Sequence, residues 1–344
     1  MGWNELVAAA TATFRAAGLD SPEADARELA EVAGGERLHV LLATGAPTPE
    51  QRARFDSMVA ARATRVPLQH VTGVMYFRYL ELASRPGCFI VRPETELVAE
   101  EAITALRAAV ARILDDDGVT SRAFATPPVS ARPNERESLR PGASQSPASA
   151  CPAERASSRP GAQPDSARPL AVDLCTGSGA IALALATEVP EARVSAVELS
   201  DSAIEVAREN NARYGAVVDL VHGDARTELE NLVGQVDVVV TNPPYVPPTH
   251  QVSVEALSDP ALALWGGGVD GTDLPRELIA RAAELLRPGG ILVMEHAEEQ
   301  AQTLVNAALT SGFARARTGY DYTGRPRWLW AQLGNDCAES KGHQ

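Results

Sequence analysis

The chain has 344 residues, 45% of them hydrophobic and 22% charged, with a formal net charge of −14 at pH 7. That length can bury a real core and excludes a disulfide-stapled miniature; Cys88, Cys151, Cys175 and Cys337 form no CxxC pair, so neither a zinc ribbon nor a disulfide framework is encoded and a reducing, cytoplasmic setting is expected. The acidic balance weighs against sequence-independent binding to nucleic acid, which relies on clustered Lys and Arg, and no apolar run approaches the ~20 residues of a membrane span.

Residues 1–72 read as a small helical domain. Ser21-Pro22-Glu23 offers an N-cap followed by Pro at the first helical position, and Thr48-Pro49 repeats the device. From Gly73 to Val91, aromatic and branched residues surround the turn signal Arg85-Pro86-Gly87, which predicts a short β-hairpin linking two domains. A connecting helix is expected over 92–114. Residues 115–168 are rich in Pro, Ser, Ala and Arg with Phe124 as the lone aromatic, a composition that cannot bury enough apolar surface to offset its ordering entropy; this insertion is expected to be disordered.

Regular alternation then begins. The apolar run 170–175 leads into a helix at 179–188, 193–199 into a helix from Ser200, and a short run near 217–221 precedes the strand 235–241. A helix near 273–286 ends at Arg287-Pro-Gly-Gly290, followed by a strand at 291–296, a helix at 298–310 and strands near 313–319 and 328–333. Such alternation with nearly continuous apolar strands predicts an α/β domain over 169–335, a doubly wound, mostly parallel seven-stranded sheet of Rossmann-like type, with a tail at 336–344. Ligands of these sheets bind at the carboxyl ends of the strands.

Two turns at those ends carry chemistry. Asp173-Leu-Cys-Thr-Gly-Ser-Gly-Ala-Ile-Ala182 puts Gly177 and Gly179 where the backbone can pass close to a ligand at a helix N-terminus, and Glu198, ending the next strand, can accept hydrogen bonds from ribose hydroxyls. This fits any adenosine-containing ligand and does not choose between NAD and S-adenosylmethionine. Asn242-Pro-Pro-Tyr245 does more to choose. A planar NH₂ group is a poor nucleophile because its lone pair is delocalised; acceptors on both N–H groups favour pyramidalisation. The Asn242 side-chain oxygen and the Pro243 carbonyl can be those acceptors, with Pro243 and Pro244 fixing the backbone and Tyr245 stacking on the planar group. A plain Pro-Pro corner after a strand is the competing structural explanation.

On these motifs the chain resembles the class I S-adenosylmethionine-dependent methyltransferases with an NPPY motif, and within them the PrmC/HemK protein-(glutamine) methyltransferases of peptide chain release factors. The stretches 67–73 (PLQHVTG), 92–100 (RPETELVAE), 259–271 (DPALALWGGGVDG), 285–300 and 321–327 (DYTGRPR) carry the resemblance over nearly the whole chain except the insertion. It implies methyl transfer from S-adenosylmethionine to the glutamine amide nitrogen of the Gly-Gly-Gln loop in class 1 release factors, with 1–72 recognising the substrate. Cys175, Thr176, Gly177, Ser178, Gly179, Glu198, Asp224, Ala225 and Asn242 would hold the cofactor. Asn242, Pro243 and Tyr245 would be catalytic, and these with Pro244, Arg92, Glu94 and Glu96 would hold the substrate. No metal, membrane or nucleic-acid partner is expected, and the protein would act as a monomer. Cys175 departs from the usual Gly of the family, Ala225 from a common aromatic, Asp259-Pro260 from Glu-Pro and His296-Ala297 from Ile-Gly; His296 is expected to be a satisfied core histidine rather than a base. Methylation of adenine amines in nucleic acid and an NAD(P)-binding oxidoreductase are the rival readings.

Overall fold

The structure, a computed structural model, describes residues 1–116, 168–252 and 254–335. The expected disordered insertion lies outside the described residues except at its ends, as does the tail 336–344.

Helices α1 (Trp3–Ala16), α2 (Pro22–Gly34), α3 (Leu38–Thr44), α4 (Pro49–Ala63) and α5 (Leu68–Thr72) come first. Three- and four-residue spacings put Trp3, Leu6, Ala10 and Phe14 on one face of α1, which closes on Leu29 and Ala33 of α2 and on Phe55 and Met58 of α4. Trp3 meets Phe55 edge-on at 5.8 Å. Arg62 on α4 and Asp25 on α2 pair at 2.7 Å inside this core, where each offsets the other's desolvation cost. Thr48 caps α4 as expected, accepting from the Gln51 N–H at 3.2 Å while Gln51 Oε1 accepts from the Thr48 N–H at 3.0 Å. Ser21 departs from expectation. Pro22 opens α2, yet the Ser21 side chain makes no capping bond, its φ and ψ of −129° and 57° lying outside the extended conformation of a working cap.

Strands β1 (Val74–Phe77) and β2 (Leu80–Ala83) form the hairpin, with the turn at Arg78-Tyr79 rather than at Arg85-Pro86-Gly87. Arg78 takes the left-handed conformation (φ 53°) that a two-residue connection demands. Its N–H donates to Glu96 Oε1 at 2.9 Å and its guanidinium to Glu188 Oε1 at 2.5 Å, which docks the turn on the body. The Pro86-Gly87 bend instead leads the chain toward the cleft. Helix α6 (Thr95–Asp116) follows, starting later and running two residues past the expected end.

The remaining strands are β3 (Leu170–Leu174), β4 (Arg193–Glu198), β5 (Asp219–His222), β6 (Val236–Thr241), β7 (Leu286–Glu295), β8 (Phe313–Tyr320) and β9 (Pro326–Leu333). They form one seven-stranded sheet in the order β5-β4-β3-β6-β7-β9-β8, in which β9 alone runs antiparallel to its neighbours. Every residue of β3 and β6 is buried, because both faces are covered. On one face lie α6 and α7 (Ala180–Glu188), the latter apolar nearly all round; on the other lie α10 (Asp273–Leu285) and α11 (Ala301–Thr310), numbered after α8 (Asp201–Arg213) and the short α9 (Ala261–Leu264). The chain leaves β3 toward β4 and β5 on one side and returns to β6 and β7 on the other. The crevice at that reversal, above the carboxyl ends of β3, β4 and β6, is where the site lies. Among the described residues no helix is long and apolar enough to cross a membrane.

Candidate active site

The glycine loop leaves β3 by a sequence of left-handed turns: Cys175 at φ 60°, Gly177 at 59° and Gly179 at 83°. Nothing lies within 4 Å of where a Cβ on Gly177 would stand, so its lack of a side chain serves the backbone angle and the open cleft. The loop is braced from beneath. Asp173 is fully buried and its Oδ2 accepts from the Thr176 hydroxyl at 2.6 Å and the Ala182 N–H at 3.1 Å. Burial outweighs those bonds and pushes its carboxyl up to about 7. Glu198 Oε2 accepts the Gly177 N–H at 2.7 Å and Oε1 the Ser200 N–H at 2.8 Å, joining the ends of β3 and β4. Asn210 of α8, which no sequence motif singles out, donates to the Ser178 carbonyl at 2.9 Å and accepts from the Ala83 N–H at 2.7 Å, so one buried amide ties the loop to the hairpin.

Across the cleft, β6 ends at Thr241 and the next four residues line the opposite wall. The Asn242 amide donates from Nδ2 to Thr95 Oγ1 at 3.2 Å. That bond leaves Oδ1 of this cleft-lining residue available to a donor. The Tyr245 hydroxyl donates to Glu295 Oε1 at 3.0 Å, and the Tyr245 carbonyl accepts from Gln300 Nε2 at 2.7 Å. Burial, then the neighbouring Glu295 charge, raises the Tyr245 phenol well above its ordinary value, so it stays protonated. Gly271 passes so close beneath that a Cβ would stand 2.3 Å from the Tyr245 carbonyl oxygen, which accounts for a glycine in the 259–271 stretch.

The two walls enclose a cleft of about 490 Å³ that brings together Arg92, Cys175, Thr176, Gly177, Ser178, Glu198, Asp224, Ala225 and the whole Asn242–Tyr245 run. Gly179 sits behind it as the N-cap of α7. Arg92 lies over the Phe89 ring at 5.1 Å and pairs with the buried Asp259, which also accepts the Ile90 N–H at 3.1 Å. Two more expected site residues do not line the cleft. Glu96 is turned to the hairpin, where it accepts the Arg78 N–H, and Glu94 lies near Arg327 and Glu295 at the back of Tyr245. The Asp224 carboxylate is engaged by Arg226, through Nε at 2.9 Å and Nη2 at 2.6 Å, which holds it below the usual carboxylate range.

His296 is fully buried with Nδ1 against the Ala297 carbonyl at 2.7 Å and Nε2 against Thr318 Oγ1 at 3.1 Å, as expected of a core histidine. Desolvation, then the neighbouring Glu198 and Asp173 charges, raise the thiol of the half-buried Cys175 above its ordinary value, which speaks against a nucleophile. No group of His, Cys, Asp and Glu among the described residues could hold a metal. Sequence reasoning missed Thr95 and Glu295. Thr95 lies inside the quoted 92–100 stretch between the two acids preferred to it, and the signal for Glu295 is a carboxylate closing an otherwise apolar strand, a group that demands a partner.

The family model described as PrmC N-terminal domain matches residues 5–73, and the one described as methyltransferase small domain matches 163–319. The release factor glutamine methyltransferase of Streptomyces coelicolor is 41% identical over 333 residues, covering 95% of this chain and 96% of its own. That of Bifidobacterium longum is 38% identical, covering 95% and 98%. A 4-amino-L-phenylalanine/4-methylamino-L-phenylalanine methyltransferase of Streptomyces pristinaespiralis is 36% identical, covering 85% and 82%.

Proposed function

The chain belongs to the release factor glutamine methyltransferase family, and on that premise we propose that it methylates the side-chain amide nitrogen of the glutamine in the Gly-Gly-Gln loop of class 1 peptide chain release factors, using S-adenosylmethionine. The observation that carries this is the hydrogen bond from Asn242 Nδ2 to Thr95, which leaves Oδ1 of a cleft-lining residue available to a donor. A glutamine amide offers two N–H donors in one plane, and Asn242 Oδ1 with the Pro243 carbonyl supplies two acceptors on a backbone fixed by consecutive prolines.

The residues fit the cofactor. Asp173 Oδ1 and Ser178 Oγ are buried without a hydrogen-bond partner among the described residues, beside a loop whose Gly177 leaves open space. Cys175, Thr176, Gly177, Ser178 and Gly179 would hold its methionine end, Glu198 the ribose and the Asp224-Ala225 corner the adenine. When bound, it supplies a methyl group on a positively charged sulfur. The chain's own part is to position the amide and to meet the charge that the nitrogen takes on. Both tasks fall to Asn242 and Pro243, whose interaction strengthens as the N–H groups become more acidic in the transition state. Tyr245, held by Glu295, presents its ring without exchanging a proton. Arg92 and Pro244 shape the entrance to the same wall.

The acidic composition speaks against the adenine-directed rival, and the Asn-Pro-Pro-Tyr wall has no use in a hydride-transfer enzyme. A free aromatic amine is also a planar NH₂ group, so the substrate must be tested directly. Labelled S-adenosylmethionine is incubated with the protein and, separately, release factor, release factor with its loop glutamine changed to alanine, bulk tRNA and DNA, and 4-amino-L-phenylalanine. Label is expected on unaltered release factor alone. Label that persists on the altered factor, or that goes chiefly to nucleic acid or the free amine, overturns the proposal.

A further inference from the structure

Behind the substrate wall lies a polar cluster that the proposed chemistry does not use directly. Glu295, at the end of β7, is 1% exposed. Its Oε1 accepts the Tyr245 hydroxyl, and its Oε2 is buried with no hydrogen-bond partner among the described residues. Thr95, also 1% exposed, opens α6 near this carboxylate without a hydrogen bond to it, and its hydroxyl favours the charged form. One lone pair of Thr95 Oγ1 is taken by Asn242 Nδ2, so its proton is free to turn toward the open carboxylate oxygen.

We propose that Thr95 and Glu295 are positioning residues for the methylation reaction: the carboxylate of Glu295 draws the hydroxyl protons of Tyr245 and Thr95 toward itself, and the chain of donors so aligned fixes Asn242 with Nδ2 inward and Oδ1 toward the substrate amide. This rests on the functional proposal above. The two ends of an amide have nearly the same shape, and only their partners decide which faces where. An ionised Glu295 accepts only, so every hydrogen bond from Asn242 through Thr95 must point at it. A protonated Glu295 can donate to Thr95, whose own proton would then turn to Asn242 and favour the flipped amide. The flipped amide presents N–H groups to the N–H groups of the substrate, a pairing of like donors.

The groups that face Glu295 come from several elements. Thr95 opens α6 and Glu94 directly precedes it, Tyr245 comes from the loop after β6 and Arg327 from β9, the last paired with Asp321 at 3.0 Å. His296, next along β7, is held below its ordinary value by burial and is neutral. Burial pushes the Glu295 carboxyl up to about 7, within the range of an ordinary rate profile.

The test uses the full chain with release factor. The wild type, Thr95→Val, Thr95→Ser and Glu295→Gln are compared for kcat, for KM and for the thermal shift given by S-adenosylhomocysteine. Thr95→Val keeps the shape and removes the hydroxyl; its kcat should fall roughly 10- to 100-fold with KM for the cofactor nearly unchanged, and Thr95→Ser should recover to within about threefold of wild type. Wild-type kcat should decline as pH falls through the titration of Glu295, and Glu295→Gln should lack that decline. A Thr95→Val kcat equal to wild type, a Thr95→Ser as slow as Thr95→Val, or an acid limb retained in Glu295→Gln each overturns the inference. So does a lost S-adenosylhomocysteine shift in Thr95→Val, which would make Thr95 a folding residue. A wild type that leaves release factor unlabelled defeats the functional proposal instead, before any variant is compared.

Discussion

The two walls of the cleft are built on the same device and use it differently. Each has a buried carboxylate on a strand next to β6, Asp173 on β3 and Glu295 on β7, and each carboxylate has one oxygen bonded and one without a partner among the described residues. On the cofactor wall the carboxylate braces backbone: its bonds go to Thr176 and Ala182, and the loop it supports is shaped by left-handed angles. On the substrate wall its one bond goes to a side chain, the Tyr245 hydroxyl, while Thr95 beside it accepts from the Asn242 amide. Backbone can be held by shape alone, whereas an amide that must present one end and not the other needs a directional partner. The cofactor wall should therefore fail in binding and the substrate wall in rate.

The sharpest division is expected from one substitution on each side. Asn242→Ala removes the acceptor proposed to strengthen in the transition state and should lower kcat on the order of 10²- to 10³-fold, leaving the affinity for S-adenosylhomocysteine within a few-fold. Glu198→Ala removes the acceptor for the Gly177 and Ser200 N–H groups together with the expected ribose contact. It should weaken S-adenosylhomocysteine by about 1.5–3 kcal/mol in a calorimetric titration, with a smaller effect on kcat at saturating cofactor. If both variants lost affinity equally, the walls would not be separable in function.

Next in size is a difference in stability with pH. Both carboxyls are pushed up to about 7, Asp173 from 3.8 and Glu295 from 4.5, chiefly by burial. In each case the folded state binds the proton more tightly than the unfolded one. The stability this contributes is complete at pH values below the unfolded pKa and is lost as pH rises to about 7. Above that, each ionised carboxyl is a burden. Glu295→Gln should then be more stable than the parent at pH 8 by on the order of 2–3 kcal/mol and nearly equal to it at pH 4.5, even as it loses rate. Asp173→Asn should gain at least as much, because its carboxyl is raised further and an amide oxygen can still accept from Thr176 and Ala182. Urea unfolding of the variants at the two pH values would measure it; a clearly smaller gain for Asp173→Asn would show that the loop needs the carboxylate itself.

Much of both walls is legible in the sequence. Alternating strands and helices predict the sheet, and the glycine loop and the Asn242–Tyr245 run stand out because each is contiguous and chemically odd for its place. What escapes is long in sequence and short in space. Asn242 and Thr95 are 147 positions apart, Tyr245 and Glu295 50, and nothing in a linear text says that a Thr hydroxyl accepts from one particular amide. Glu94 and Glu96 draw attention as charges, yet a charge at a helix start is equally well satisfied elsewhere, and Glu96 is, at the hairpin turn. The turn itself is misplaced for a related reason. Pro86-Gly87 has the better turn chemistry, but the docking of Arg78 onto Glu96 and Glu188 determines where the hairpin bends.

The smallest predicted effect separates the walls again. Cys175 is a non-glycine residue at φ 60° in a position where backbone angle, not side chain, does the shaping. The left-handed conformation costs an L-residue roughly 1–2 kcal/mol, and glycine would relieve it, while a more flexible unfolded chain takes back about 0.4–1 kcal/mol. Cys175→Gly should therefore raise the melting temperature by only about 1–3 °C and leave affinity for S-adenosylhomocysteine within about twofold. No such relief is available on the substrate wall, where Asn242 and Tyr245 have ordinary negative φ and glycine would only delete contacts. A Cys175→Gly protein that melts several degrees lower would show that the thiol's packing against the sheet, and not the backbone angle, holds this end of the loop.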